Sequence, residues 1–242
     1  MPRFLLPADQ WDQAELTGDE AKHLAQVLRI KSGTEITVFD GRGRRASATV
    51  REVSRKRVTL DMGEAHHTSG PLPALTLAQA IPKGKNMELI VQKAVELGVT
   101  VIQPLITTNT IVQPGENKAD KWRRIAIEAC KQCGQDTLPE VADPMRYEDW
   151  IQNEWNQTPP RPPELRIIAS LADGAQPMRE TIRSKPEVKL CCLLVGPEGD
   201  FTAEETRAAI DAKFLPVTLG DIVLRVETAS LYCLSALRYE FS

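Results

Sequence analysis

Hydrophobic positions change their spacing along this chain of 242 residues. Ala21, Leu24, Val27 and Leu28 recur at helical spacing behind Thr17-x-x-Glu20, a capping-box pattern that predicts a short helix. Residues 35–39, 45–53 and 57–62 read as short strands, the middle one alternating at Ala46, Ala48 and Val50. Strands this short and this close predict a small barrel. Residues 66–73, His-His-Thr-Ser-Gly-Pro-Leu-Pro, read as a linker. Beyond them, apolar runs at 75–81, 99–106, 165–171, 188–195 and 214–219 alternate with helical patterns, which predicts a parallel α/β layout. The expected domains are 1–70 and 74–242. The proline-rich residues 158–163 read as an exposed connector.

Two of these runs stop abruptly at glycine. Residues 188–195 are continuously apolar except for Lys189, the pattern of a strand covered on both faces. They stop at Gly196-Pro197-Glu198-Gly199, and Thr202-x-x-Glu205 then caps a helix. The run 215–219 stops at Gly220. Gly-rich loops between strand ends and helices build ligand crevices in α/β sheets, and glycine lets the backbone come close to the ligand. The positive end of the helix dipole would favour a phosphate at the first loop. The loop lacks a phosphate-binding lysine, however, and Glu198 would repel an anion. It suits a ligand offering hydroxyls, an amine or a positive charge. The second loop is expected to run from Gly220 to Glu227, with Ile222, Val223, Leu224 and Val226 apolar. Such a loop either packs against the protein or wraps an apolar ring. Arg225 and Glu227 lie within it; they pair with each other, face solvent or serve a site.

Composition narrows the class. Hydrophobic residues make up 42% and charged residues 26%, ordinary for a globular protein. No run is long enough to span a bilayer, and the first ten residues do not resemble a signal peptide, so a cytoplasmic location is expected. The five cysteines are expected to be reduced. Cys130 and Cys133 share a helical stripe with Trp122, Ile125, Ala126 and Ala129, and Cys191 and Cys192 lie in a strand. All five are read as small core residues, with no metal site. His66 and His67 fall in the linker, and His23 on a helix. Net charge is −3, but Arg42, Arg44, Arg45, Arg51, Arg55, Lys56 and Arg57 face only Asp40 and Glu52. Such a cluster is the footprint of phosphate contacts or a solvated strand face.

Gly-Pro-Glu-Gly followed by Leu219-Gly220-x-x-x-Leu224-Arg225-x-Glu227-Thr228-Ala229 resembles the SPOUT class of RNA methyltransferases, and within it the ribosomal RNA small-subunit methyltransferase E family. Lys83-Gly84-Lys85-Asn86-Met87-Glu88 through Val99 is similar to that family's signature helix. Trp122 to Ala126, Glu128 to Gly134, Pro2 to Leu5 and His23 to Arg29 fit as well. The resemblance implies a PUA-like RNA-binding barrel followed by a trefoil-knotted α/β domain. It implies S-adenosylmethionine as methyl donor, a homodimer, and N3-methylation of one uridine in 16S ribosomal RNA within the small subunit. Carried over by position, the donor pocket comprises Leu171, Gly196, Glu198, Gly199, Leu219, Gly220, Ile222, Leu224, Thr228 and Ala229. Arg225 and Glu227 are the catalytic candidates. Arg225 would stabilise developing anionic charge, and Glu227 would be a base or hold Arg225. The candidate RNA-binding residues are Arg3, Arg29, Arg42, Arg44, Arg45, Lys83, Lys85 and Lys93.

The chain departs from the family pattern at Asp200, where a second glycine is usual. It departs at Thr108-Asn109-Thr110, where Glu-Arg-Ser is usual, and at Gln135, where an arginine is usual. Two other readings are a methyltransferase of this fold acting on a different RNA, and a non-catalytic RNA-binding or ribosome-assembly protein. The intact glycine loops argue against the second.

Overall fold

The computed structural model describes residues 1–54, 56–156, 164–172, 174–185 and 187–241. Arg55 and the proline-rich stretch 158–163 lie outside the described residues. The chain forms two compact units, residues 1–70 with 127–138, and residues 71–126 with 139–242.

The first unit holds five strands: β1 (Arg3–Leu5), β2 (Glu15–Thr17), β3 (Glu35–Phe39), β4 (Arg44–Val53) and β5 (Arg57–His67). They form one sheet in the order β1-β3-β4-β5-β2, with β1 parallel to β3 and the other pairs antiparallel. The sheet curls around a core that includes Phe4, Leu16, Leu24, Ile36, Val38, Val50 and Val58. Ala46, Ala48 and Val50 are buried while Arg45, Ser47 and Arg51 are exposed, as the two-residue period of a half-buried strand requires. Register shifts along β4 and β5 between Ala46 and Ala48, and between Val50 and Glu52, add the twist that curls the sheet.

Three local features of this unit differ from expectation. First, β5 runs on to His67, so His66 and His67 pair with Arg45 and Arg44 and are not linker residues. Second, Thr17 makes no side-chain cap for α1 (Gly18–Lys22). Its partner Glu20 is engaged elsewhere, accepting from Leu5 N and Lys131 Nζ, each at 3.0 Å. Third, Val27 and Leu28 are 70% and 45% exposed. After α1 the helix widens, with Leu28 N bonded to His23 O five residues back, and the wider turn rotates these two side chains off the core.

Residues 127–138 pack with this unit, whereas the sequence reading assigns all of 74–242 to the second domain. Buried polar groups account for the attachment. Asp136 accepts from Arg3 at 2.7 Å and from Thr68 Oγ1 at 3.0 Å. Lys131 Nζ is buried between Glu20 and Glu128, 5.6 Å from the Phe4 ring.

The second unit is a parallel sheet covered by helices. Its strands are β6 (Ala74–Ala80), β7 (Val101–Ile106), β8 (Glu140–Val141), β9 (Met145–Arg146), β10 (Glu164–Ala169), β11 (Gln176–Pro177), β12 (Leu190–Val195) and β13 (Leu215–Thr218). The order is β11-β13-β10-β12-β6-β7-β8, with β9 also beside β7, and every pair is parallel. The carboxyl ends of the central strands therefore share one edge, where α/β sheets bind ligands. Its helices are α2 (Asn86–Glu96), the first part of α3 (Lys118–Cys133), α4 (Tyr147–Trp150), α5 (Met178–Arg183), α6 (Ala203–Asp211) and α7 (Val226–Phe241). Tyr147, Trp150, Phe201 and Phe214 form an aromatic cluster against Ile168 and Leu194. The strand predicted from 188 starts at Leu190. The last loop is shorter than expected: α7 begins at Val226, its first turn closed by Ala229 N to Arg225 O at 2.8 Å. No helix among the described residues is long and apolar enough to cross a membrane.

Candidate active site

Three loops from adjacent strands enclose a cavity of about 470 Å³ at the carboxyl edge of the second sheet. Ser170 and Leu171 follow β10, Gly196, Pro197, Glu198 and Asp200 follow β12, and Leu219 and Gly220 follow β13. The first turn of α7 and Asn86 complete the wall. That turn is anchored from below: Ser230 Oγ, fully buried, donates to Gln79 Oε1 on β6 at 2.5 Å.

Glycine is required at two places in these loops. A Cβ on Gly196 would sit 3.0 Å from Asp200 Oδ1 and 3.2 Å from the Phe201 ring. Gly220 has φ +117°, a conformation side chains rarely adopt, and an added Cβ would meet nothing within 4 Å, facing open space. The turn after β12 closes with Asp200 N to Pro197 O at 3.0 Å. Asp200 has φ +55°, which explains why glycine suits this position. Its own Oδ1 accepts from Phe201 N at 2.8 Å. The predicted capping box forms in full, with Thr202 Oγ1 accepting from Glu205 N and Glu205 Oε2 from Thr202 N.

The charged lining is mostly acidic: Glu198, Asp200 and Glu227 against Arg225. Glu198 Oε1 accepts from Lys83 N at 2.9 Å. Glu227 Oε2 accepts from Asn86 Nδ2 at 3.1 Å. Arg225 and Glu227 both line the cavity, but no ion pair joins them among the described residues, and Arg225 is exposed. Ile222 and Val223, 79% and 71% exposed, offer an uncovered apolar rim and are not packed against the protein.

Of the predicted pocket residues, Leu171, Gly196, Glu198, Leu219, Gly220, Ile222, Leu224 and Ala229 line the cavity. Gly199 and Thr228 do not. Gly199 faces Asn109, where a Cβ would meet the Asn109 Cβ at 3.2 Å, and Thr228 is an exposed residue of α7. The lining residues not assigned from sequence are Asn86, Ala169, Ser170, Val195, Pro197, Asp200, Val223 and Val226. Asn86 stands at the head of the signature helix, and only its polarity at a helix start could have marked it.

The basic residues divide into engaged and open ones. Arg3 is paired with Asp136 and lies over the Phe39 ring. Arg44 stacks on Trp11, 4.1 Å from the ring centroid, and pairs with Asp40, while Arg45 pairs with Asp136. Lys93 pairs with Glu96. Arg29, Arg42, Lys83 and Lys85 are exposed. Arg51 and Arg57 are paired with Asp61 and Glu15, so much of the arginine cluster is structurally engaged.

Among the described residues no group of three or more His, Cys, Asp or Glu side chains could hold a metal. Four cysteines are buried, but Cys133 is exposed, which corrects the expectation that all five are core residues. It is the last residue of α3, past the point where the apolar stripe meets the core. Burial pushes the Cys130 and Cys233 thiols up to about 12.

The fold has counterparts. A family model for the RNA methyltransferase domain matches residues 68–238, and a model for the RNA methyltransferase PUA domain matches residues 16–62. These define the class as a PUA-containing RNA methyltransferase fold. A ribosomal RNA small subunit methyltransferase E from Synechocystis is 32% identical over 91% of this chain and 71% of that relative. One from Buchnera aphidicola is 28% identical over 100% of this chain and 94% of its own length. A crystal structure of the Neisseria gonorrhoeae ribosomal RNA small subunit methyltransferase E bound to S-adenosyl methionine superposes with a TM-score of 0.85 at 32% identity, covering 99% of this chain and 97% of that one. The chain belongs to the ribosomal RNA small-subunit methyltransferase E family.

Proposed function

We propose that this protein transfers a methyl group from S-adenosylmethionine to N3 of a uridine in 16S ribosomal RNA, working as a homodimer with a trefoil-knotted second domain. The observation that carries the donor assignment is the cavity itself. Its volume of about 470 Å³ falls in the range for small-molecule sites. Glycine at 220 leaves its loop open to close approach, and glycine at 196 lets the other turn fold back on Asp200 and Phe201. Leu219, Ile222 and Leu224 suit an adenine ring, and the carboxylates of Glu198, Asp200 and Glu227 suit a ligand carrying a sulfonium and an amine.

When bound, S-adenosylmethionine supplies an electrophilic methyl group. The protein's task is to make N3 of uridine nucleophilic and hold it in line. N3 carries a proton, and its departure leaves negative charge on the flanking carbonyl oxygens. Arg225, always charged, donates to one of them. Asn86 has a second amide hydrogen, and Glu227 fixes the amide so that this hydrogen is available. Glu227 thus orients Asn86 rather than pairing with Arg225, and the N3 proton leaves to water at the open rim. Holding the base in line contributes several kcal/mol.

The test uses labelled S-adenosylmethionine with small subunits lacking the modification, in parallel with naked 16S RNA and large-subunit RNA. Label entering small-subunit RNA supports the assignment. Label entering only another RNA supports a methyltransferase with a different target, and donor binding without transfer to any RNA supports a binding or assembly protein.

A further inference from the structure

Asn109 follows β7 and lies outside the cavity lining, yet its amide is spent on the turn that walls the cavity. Asn109 Nδ2 donates to Gly199 O and to Asp200 O, each at 2.9 Å. The Asn109 Cβ also occupies the space a side chain on Gly199 would need. Neighbouring bonds fix where Asn109 sits. Thr107 N donates to Thr110 Oγ1 at 2.9 Å. Thr108 N and Oγ1 both donate to Glu205 Oε1, at 2.8 and 3.1 Å. The other oxygen of Glu205 holds Thr202 N. The loop 107–110 and the turn 196–202 are therefore one hydrogen-bonded unit, and four of its residues, Thr108, Asn109, Thr110 and Asp200, are positions where the chain departs from the family pattern.

We propose that Asn109 is a positioning residue for the donor cavity. It clamps the turn in the shape that sets Gly196, Pro197 and Glu198 against the ligand. The proposal rests on the reading of this cavity as the S-adenosylmethionine site. Asp200 stands in the left-handed region, where glycine is at less cost; its own Oδ1 bond to Phe201 N holds it from one side, and the Asn109 bonds to Gly199 O and Asp200 O hold the same peptide units from the other. Without the clamp the turn spends part of its time in other shapes, and apparent affinity falls in proportion to the competent fraction. The two bonds are solvent-exposed, so their loss costs the fold little and the binding geometry more.

Calorimetric titration of the full chain with S-adenosylmethionine tests this, alongside hydrogen exchange of the amides of residues 198–202 without ligand. Asn109→Ala and Asn109→Asp, which cannot donate to either carbonyl, should each weaken binding about 3- to 30-fold, the range expected for one or two modest hydrogen bonds. Exchange in the turn should quicken while the melting temperature stays unchanged. Wild-type affinity in both variants overturns the clamp and leaves the cavity assignment standing. Affinity loss that tracks a lowered melting temperature, with no faster exchange in the turn, also overturns it. A wild-type chain that does not bind the donor overturns the cavity reading and the clamp with it.

Discussion

Asn86 and Glu227 are 141 positions apart in sequence, yet the amide of one donates to the carboxylate of the other at 3.1 Å on the cavity wall. The contact joins the head of α2 to the first turn of α7. If Glu227 serves to orient Asn86, Glu227→Gln keeps an acceptor in place and should retain turnover within about tenfold. Asn86→Ala and Glu227→Ala should each lose about 10²-fold, the scale of one preorganised donor. Single-turnover rates measure this. Equal losses for Gln and Ala at position 227 would make Glu227 the base.

Arg225 lines the cavity without an ion pair to Glu227 among the described residues, so its guanidinium is available to a substrate carbonyl. Arg225→Ala should cut turnover by about 10²–10³. Affinity for S-adenosylmethionine should change much less. Near-normal single-turnover rates would make Arg225 structural.

Gly220 combines φ +117° with open space where a side chain would go. In Gly220→Val the side chain strains the loop and projects from a backbone that the ligand approaches. Donor affinity measured by calorimetry should fall by about 10²-fold or more, equivalent to nearly 3 kcal/mol. Unchanged affinity would remove Gly220 from the site.

The arginines of the first unit should separate by role. Arg42 is exposed, so Arg42→Ala should reduce the slope of log RNA affinity against log salt by roughly 0.7–0.9. Arg44 stacks on Trp11 and pairs with Asp40, so Arg44→Ala should destabilise the unit by about 0.5–2 kcal/mol, read from denaturant midpoints. A changed salt slope with unchanged stability for Arg44→Ala would reverse the assignment.

Thiol reactivity and alkaline stability follow from burial. Cys133 is exposed and should alkylate readily in the native protein, while Cys130 and Cys233 should not. Their raised folded-state values mean the native protein holds these protons more tightly than the unfolded chain. The stability they contribute is fully present below about pH 9 and is lost as pH rises toward about 12. Guanidinium midpoints across that range should fall, and Cys130→Ala with Cys233→Ala should flatten the decline.

The layout of the second unit was legible because its central strands are largely buried and read as apolar runs, uninterrupted in β12 and broken only by Thr76 and Gln79 in β6 and by Glu164 and Arg166 in β10. The glycine loops were legible because glycine at a strand end has few other uses. What escaped the sequence depended on long-range partners. Nothing local marks Asp136 and Lys131 as the residues that attach 127–138 to the first unit. Glu20 fits a capping box in sequence, but Leu5 and Lys131 claim its carboxylate. Asn86 and Asn109 are single polar residues whose roles exist only once α7 and the turn after β12 arrive beside them.

The proposed reaction is methyl transfer to N3 of a uridine in small-subunit RNA. A methyl group at N3 blocks Watson–Crick pairing and stops reverse transcriptase. The decisive measurement is primer extension, with mass spectrometry of the digested nucleosides, on small subunits incubated with the protein and S-adenosylmethionine. One new stop at a single uridine, accompanied by 3-methyluridine and formed about 10²–10³-fold more slowly with Arg225→Ala, is the predicted result. Methylation at carbon, at ribose or at another base, or no methylation of small-subunit RNA at all, would contradict it.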